Sequence, residues 1–114
     1  DWVILAGNSG IHQFCHIGSH AFIGMYSGVN QDVPPFVTTI GTPARPVAIN
    51  TEGLKRRGFE SDEIMALRRA YKQLYRKGNK LDAALVEMEK EAEQFKAVQN
   101  MIDFAKSSSR GLIR

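Results

Sequence analysis

The sequence predicts a triangular β-coil of hexapeptide repeats that ends in a small bundle of α-helices. Two observations predict the coil. Aliphatic residues recur every six positions, as Leu5, Ile11, Ile17, Ile23 and Val29. Four positions after each stands a small or compact residue: Ser9, Cys15, Ala21, Ser27 and Val33. A third observation predicts the helices. From about residue 47 the chain becomes densely charged, and its apolar residues follow a helical period instead.

Each element follows from residue chemistry. An aliphatic side chain points inward from each short flat strand, and a small residue lets the chain turn a corner. Three such strands close one triangular coil. Stacked coils bury a core that no single repeat could close. Glycines at 7, 10, 18, 24 and 28 exclude an amphipathic helix over the same stretch. The repeat ends at Asp32-Val33-Pro34-Pro35, where two prolines suit a coil edge that needs no ladder donors. Residues 51–57 predict a short helix with Thr51 as N-cap and Gly58 as stop. Ser61 is the expected N-cap of a longer helix, with Asp62 and Glu63 in its first turn. Ile64, Leu67, Tyr71, Leu74 and Tyr75 form its apolar stripe, and Gly78 ends it. Leu81 to Phe95 repeats the pattern, and a last helix spans about 97–107. The tail from Ser107 to Gly111 reads as a loop. The expected division is therefore 1–46, last coils, and 47–114, helical domain.

Composition narrows the function classes. The chain has 114 residues, and its hydrophobic content of 43% suits a folded chain. No apolar run approaches a membrane span, so no integral membrane contact is expected. The chain opens Asp1-Trp2-Val3, without an initiator Met or a signal peptide. That opening is expected of a fragment. The single cysteine, Cys15, allows no internal disulfide and fits a reducing cytoplasm. It occupies an inward repeat position and is expected in the core, not as a nucleophile. Residues 1–45 carry one basic residue, Arg45, against Asp1 and Asp32. The remaining 14 basic and 10 acidic residues all follow. Mixed signs in that second segment give no nucleic-acid signature, and a solvated helical surface explains most of them. His16 and His20 read as surface residues. No acidic or thiol partner at ligand spacing joins them, so no metal site is expected.

Three segments carry a more specific signal. They are Ile11-His12-Gln13-Phe14-Cys15, Gln31-Asp32-Val33-Pro34-Pro35 and the run from Asn50-Thr51-Glu52-Gly53-Leu54 through Lys55-Arg56-Arg57-Gly58-Phe59. Arg110-Gly111-Leu112-Ile113-Arg114 accompanies them. Together they resemble the UDP-N-acetylglucosamine O-acyltransferases that begin lipid A biosynthesis, and the likeness covers essentially the whole chain as a carboxyl-terminal part. The resemblance implies a left-handed parallel β-helix capped by helices. It implies a cytoplasmic homotrimer with active sites between subunits. Transfer of a 3-hydroxyacyl group from acyl carrier protein to the 3-hydroxyl of UDP-N-acetylglucosamine is the implied reaction, with no cofactor. The family's general-base histidine would lie upstream of Asp1, so no catalytic residue is expected here and the chain alone is expected to be inactive.

The same resemblance implies substrate-binding roles for His12, Gln13, Asn50, Glu52, Arg56 and Arg57. An amide and a carboxylate suit uracil or ribose groups, and guanidinium groups suit phosphate oxygens. Met25 falls where the family gauges acyl length. A methionine there would fill the groove end and favour a donor near ten carbons, while simple packing between coils is the competing reading. The basic helix with Arg68, Arg69, Lys72, Arg76 and Lys77 either steers the acidic acyl carrier protein or is merely solvated. Two rival functions remain: a non-catalytic trimerisation or binding module on the same coils, and N-acyltransfer by the sister enzyme, expected to differ within Asn50–Phe59. An isolated coil end should also expose apolar surface and unpaired edges, which makes a stable monomer unexpected.

Overall fold

The computed structural model describes residues 2–7, 9–11, 15–25, 27–76, 80–108 and 111–113. Short strands β1 (Ile4–Leu5), β2 (Gly10–Ile11), β3 (Phe22–Ile23) and β4 (Gly28–Val29) come first. β1 pairs parallel with β3 in the register Ile4↔Phe22, and β2 with β4 in the register Gly10↔Gly28. Both partners lie three hexapeptides apart, which is one full turn of a three-sided coil. The next turn is two residues shorter. β3 pairs parallel with β5 (Val37–Ile40) as Phe22↔Thr38, and Ile17 bridges Val33 on the third side.

The inward positions behave as the repeat requires. Ala21, Ile23, Ser27, Val29 and Val33 are all buried. Their counterparts one coil earlier are not: Leu5 is 54% exposed, against 0% for Ile23. A buried aliphatic side chain stabilises by about 1.5–3 kcal/mol, so the first coil leaves that much unrealised at each such position. Cys15, in the same coil, is only half-buried. Gly18 sits where a Cβ would overlap the backbone of Pro35, so the coils touch there without a side chain between them.

Coil geometry does not continue beyond β5. β6 (Arg45–Ile49) reverses and pairs antiparallel with β5, with an irregularity between Thr38 and Thr39. The result is a mixed four-stranded sheet in the order β1-β3-β5-β6, beside the two-stranded pair β2-β4. Four helices follow: α1 (Thr51–Arg56), α2 (Ser61–Tyr75), α3 (Leu81–Ala92) and α4 (Lys96–Ser107). α2, α3 and α4 pack on one another, and α2 also packs on β6. The apolar stripe of α2 is buried at Ile64, Leu67, Tyr71 and Leu74.

Two local expectations are corrected. The N-cap of α1 is Asn50, not Thr51. Glu60, not Ser61, precedes α2, and its N–H is held by the Glu63 carboxylate at 3.1 Å. Beyond the expected loop, the last described residues join the coil. Leu112 and Ile113 are buried, and Leu112 bridges Asp32 in parallel, adding a rung to the third side of the coil. Asp32 N–H donates to the Gly111 carbonyl, and Ile113 N–H donates to the Asp32 carbonyl, each at 2.9 Å.

Candidate functional site

The site forms where α1 leaves the coil. Asn50 follows β6 directly and is buried. Its Nδ2 donates to the His20 carbonyl at 3.0 Å, and its Oδ1 accepts the Gly53 N–H at 3.2 Å. One amide therefore caps α1 and ties it to a coil corner. Gly53 makes this possible, because a Cβ there would overlap Asn50 Nδ2. The Asn-x-x-Gly spacing is thus a packing requirement as well as a motif.

Arg56 and Arg57 end α1 and open onto a cavity of about 120 Å³ lined also by Trp2, Ile4, His20, Asn50 and Gly53. Among the described residues, no acidic side chain lines it. Two guanidinium groups without a carboxylate make an anion-binding surface. The volume suits a phosphate but is far below the roughly 300–1,000 Å³ of a full small-molecule pocket. Arg57 also stacks on the Trp2 ring, with its guanidinium carbon 3.7 Å from the centroid.

His20 is not the surface residue that its sequence context suggests. Its ring stacks on Phe36 at 5.6 Å and meets Phe59 edge-on at 5.1 Å. Burial, and to a lesser degree the nearby Arg57 charge, holds the imidazole below its ordinary pKa. A second cavity of about 380 Å³ lies on its other side, lined by Trp2, Phe36, Phe59, Glu63, Lys96 and Asn100 among others.

Of the residues singled out from sequence, Asn50, Arg56 and Arg57 come together here. Glu52 is exposed on α1, one helical turn from Arg56, outside that cavity. Met25 is 60% exposed and stands over Gly7 of the neighbouring coil, where a Cβ on that glycine would meet its side chain at 4.0 Å. His12 and Gln13 lie outside the described residues. Trp2, His20 and Gly53 are additions that sequence reasoning missed.

The basic face of α2 is also resolved. Arg68, Lys72 and Arg76 rim a groove of about 500 Å³ whose floor includes Val47, Ala48, Ile49 and Tyr71. Arg76 donates to the Val47 carbonyl at 3.4 Å. Arg69 instead pairs with Glu91, its Nε 2.7 Å from Oε1 and its Nη2 2.9 Å from Oε2. Its charge is largely neutralised in place, so among the described residues the expected basic face is better assigned to Arg68, Lys72 and Arg76; Lys77 lies outside the described residues. Among the described residues, no group of three His, Cys, Asp or Glu side chains could hold a metal ion. No helix there is long and apolar enough to cross a membrane.

Comparison with known proteins gives this geometry a family. A family model described as UDP-N-acetylglucosamine O-acyltransferase, domain 2, matches residues 32–113. The acyl-[acyl-carrier-protein]–UDP-N-acetylglucosamine O-acyltransferase of Aliivibrio fischeri is 54% identical over the whole chain, which covers 44% of that relative. The like-named protein of Thiobacillus denitrificans is 49% identical with the same coverage. Among solved structures, the Francisella novicida UDP-N-acetylglucosamine acyltransferase superposes with a TM-score of 0.95 at 40% identity, over 100% of this chain and 42% of that one. The Arabidopsis enzyme superposes at 0.87 and 38% identity, over 100% and 43%. The chain thus spans less than half the length of the relatives it matches, and with the family model covering most of its residues, it belongs to the UDP-N-acetylglucosamine O-acyltransferase family.

Proposed function

We propose that this chain forms part of an acyltransferase that moves a 3-hydroxyacyl group from acyl carrier protein to the 3-hydroxyl of UDP-N-acetylglucosamine, the first step of lipid A biosynthesis. The observation that carries the proposal is the cavity where Arg56 and Arg57 converge beside the Asn50 cap, in a chain of this family. In this reading residues 1–46 are the last coils of a left-handed β-helix, and residues 47–114 form its helical domain. Arg56 and Arg57 take the diphosphate, and Glu52 takes a ribose or uracil group. Asn50 serves first as the scaffold that sets α1.

Residues outside these 114 supply the general base, so the chain alone binds without turning over. The small cavity and the exposed Leu5 and Ile11 support a working unit with further coils and neighbouring copies, a cytoplasmic homotrimer in this proposal. No cofactor takes part. The apolar groove rimmed by Arg68, Lys72 and Arg76 receives the acidic acyl carrier protein by charge complementarity. Met25 closes the acyl groove to chains much longer than ten carbons.

The test uses the intact polypeptide that carries these residues, with UDP-N-acetylglucosamine and 3-hydroxyacyl carrier proteins of ten and fourteen carbons. Acyl transfer that favours the shorter donor is expected, and Met25→Gly should raise activity with the longer one by roughly tenfold or more, since each accommodated methylene contributes about 0.8 kcal/mol. Arg56→Gln should raise the nucleotide-sugar KM roughly tenfold, from the loss of a charge-assisted hydrogen bond. Trimer formation without any transfer would favour the non-catalytic module instead.

A further inference from the structure

Among the described residues, three non-glycine residues have positive φ: Trp2 at 61°, His20 at 60° and Phe36 at 70°. The strand registers make them equivalent. Ile4↔Phe22 places Trp2 at the level of His20, and Phe22↔Thr38 places His20 at the level of Phe36. The same coil corner is therefore left-handed on three successive turns, and each time it carries a ring. Left-handed backbone is unfavourable for side chains of this bulk, so something must hold each residue there. For His20 and Phe36 the holding contacts are plain: they stack on each other and both meet Phe59 edge-on. Trp2 is 57% exposed, and its recorded ring partner is the Arg57 guanidinium.

We infer that Trp2 is a positioning residue for Arg57, holding its guanidinium at the mouth of the phosphate cavity. The inference rests on the proposed role of Arg57 in binding the nucleotide-sugar diphosphate. Arg56 and Arg57 are consecutive cations facing one cavity, with no carboxylate among its described lining residues. Without ligand they repel, and a long side chain with free rotamers would swing away into water. Indole is the best aromatic face for a cation. A guanidinium lying flat on it keeps its in-plane N–H donors free at the edge. Stacking thus fixes the side chain while leaving its hydrogen-bonding capacity available, which reduces the ordering cost when an anion arrives. The same corner serves two ends: Phe59 locks the segment after α1 against His20 and Phe36, and Trp2 locks the arginine just before it.

The experiment measures steady-state kinetics of the intact polypeptide with Trp2→Ala, Trp2→Phe, Arg57→Gln and the Trp2→Ala/Arg57→Gln pair. Trp2→Ala should raise the nucleotide-sugar KM about three- to fivefold, the scale of an exposed cation–π contact. The KM for the acyl donor and kcat should stay unchanged. Trp2→Phe should recover most of the loss, and Trp2→Ala should add nothing once Arg57 is Gln. An equal rise in both Arg57 backgrounds would overturn the inference, as would a Trp2→Ala protein with unchanged nucleotide-sugar KM while Arg57→Gln is impaired. If Arg57→Gln itself leaves that KM unchanged, the proposed phosphate role fails first, and the inference falls with it. Melting temperatures of the variants separate a folding defect from a binding one, because a merely structural Trp2 would not show rescue confined to nucleotide-sugar KM.

Discussion

Gly53→Ala sets two effects of known sign against each other. The φ of Gly53 lies outside the left-handed region, so the backbone itself accepts alanine. Helix propensity alone then predicts a gain of about 1 kcal/mol. Space predicts the opposite. A Cβ at residue 53 would overlap Asn50 Nδ2 and stand 2.9 Å from Cγ and 3.0 Å from Oδ1. The amide would have to leave, giving up the α1 cap, worth about 1 kcal/mol. It would also abandon the His20 carbonyl, at a cost of about 1–3 kcal/mol if no water reaches it. The net expectation is a loss of about 1–3 kcal/mol. Equilibrium urea unfolding at fixed protein concentration, followed by far-ultraviolet circular dichroism, reads the difference. The decisive comparison is with Asn50→Ala. In that background the obstructing amide is gone, so Gly53→Ala should turn stabilising by about 1 kcal/mol. A Gly53→Ala protein as stable as the parent, or one destabilised equally in both backgrounds, would refute the reasoning.

Other consequences follow from the same geometry. Asp32 is a fully buried carboxylate that accepts the His16 N–H at 2.8 Å and the Ser108 hydroxyl at 2.6 Å. Asp32→Ala should cost about 1–3 kcal/mol for the stranded His16 N–H, and faster hydrogen exchange at the Ile113 amide would report release of the tail. His20 has a lowered folded pKa, so its neutral form belongs to the folded state and its contribution is complete at high pH. Stability should decline as pH falls below about 6.5, where the unfolded chain begins to bind the proton. His20→Phe should flatten that decline in urea midpoints measured from pH 8 to pH 5. Arg69→Ala should cost no more than about 0.5 kcal/mol, and less in high salt, because its pair with Glu91 is exposed.

Much of the coil was legible because its constraint is local and periodic. Ile17, Ile23 and Val29 must point inward once per side, and that requirement writes itself into the sequence at every sixth position. The reversal at β6 leaves no such trace: Arg45-Pro46-Val47-Ala48-Ile49 has no alternation that would mark a strand, still less its direction. Caps were missed because two candidates stood side by side. Thr51 and Ser61 are good capping types, but Asn50 has the reach to satisfy Gly53 and His20 together. Glu60 accomplishes its turn through Glu63. Leu112 and Ile113 gave a signal that polarity of the preceding serines obscured, namely two large aliphatic residues after a glycine. His20 was misplaced because a single histidine says little. Set beside Trp2 and Phe36 at equivalent coil positions, it would have announced a ring-bearing corner.

That corner also explains why the most specific run in the sequence looks like a ligand motif. Between Asn50 and Phe59, the two ends of the run bind the coil, Leu54 is buried in the middle, and the charged residues around it meet solvent. Asn50 holds His20 by its carbonyl, and Phe59 holds its ring. Glu52 and Arg56 are left exposed between these anchors. A side chain that must place a charge against a phosphate with a precision of about an ångström needs a rigid base. The residues that give α1 this base are as restricted in type as those that would touch the ligand. Asn50 and Gly53 are restricted by each other, Leu54 by burial, Gly58 by its positive φ and Phe59 by His20 and Phe36, which leaves the exposed Glu52, Lys55, Arg56 and Arg57 as the residues that chemistry at the site can explain.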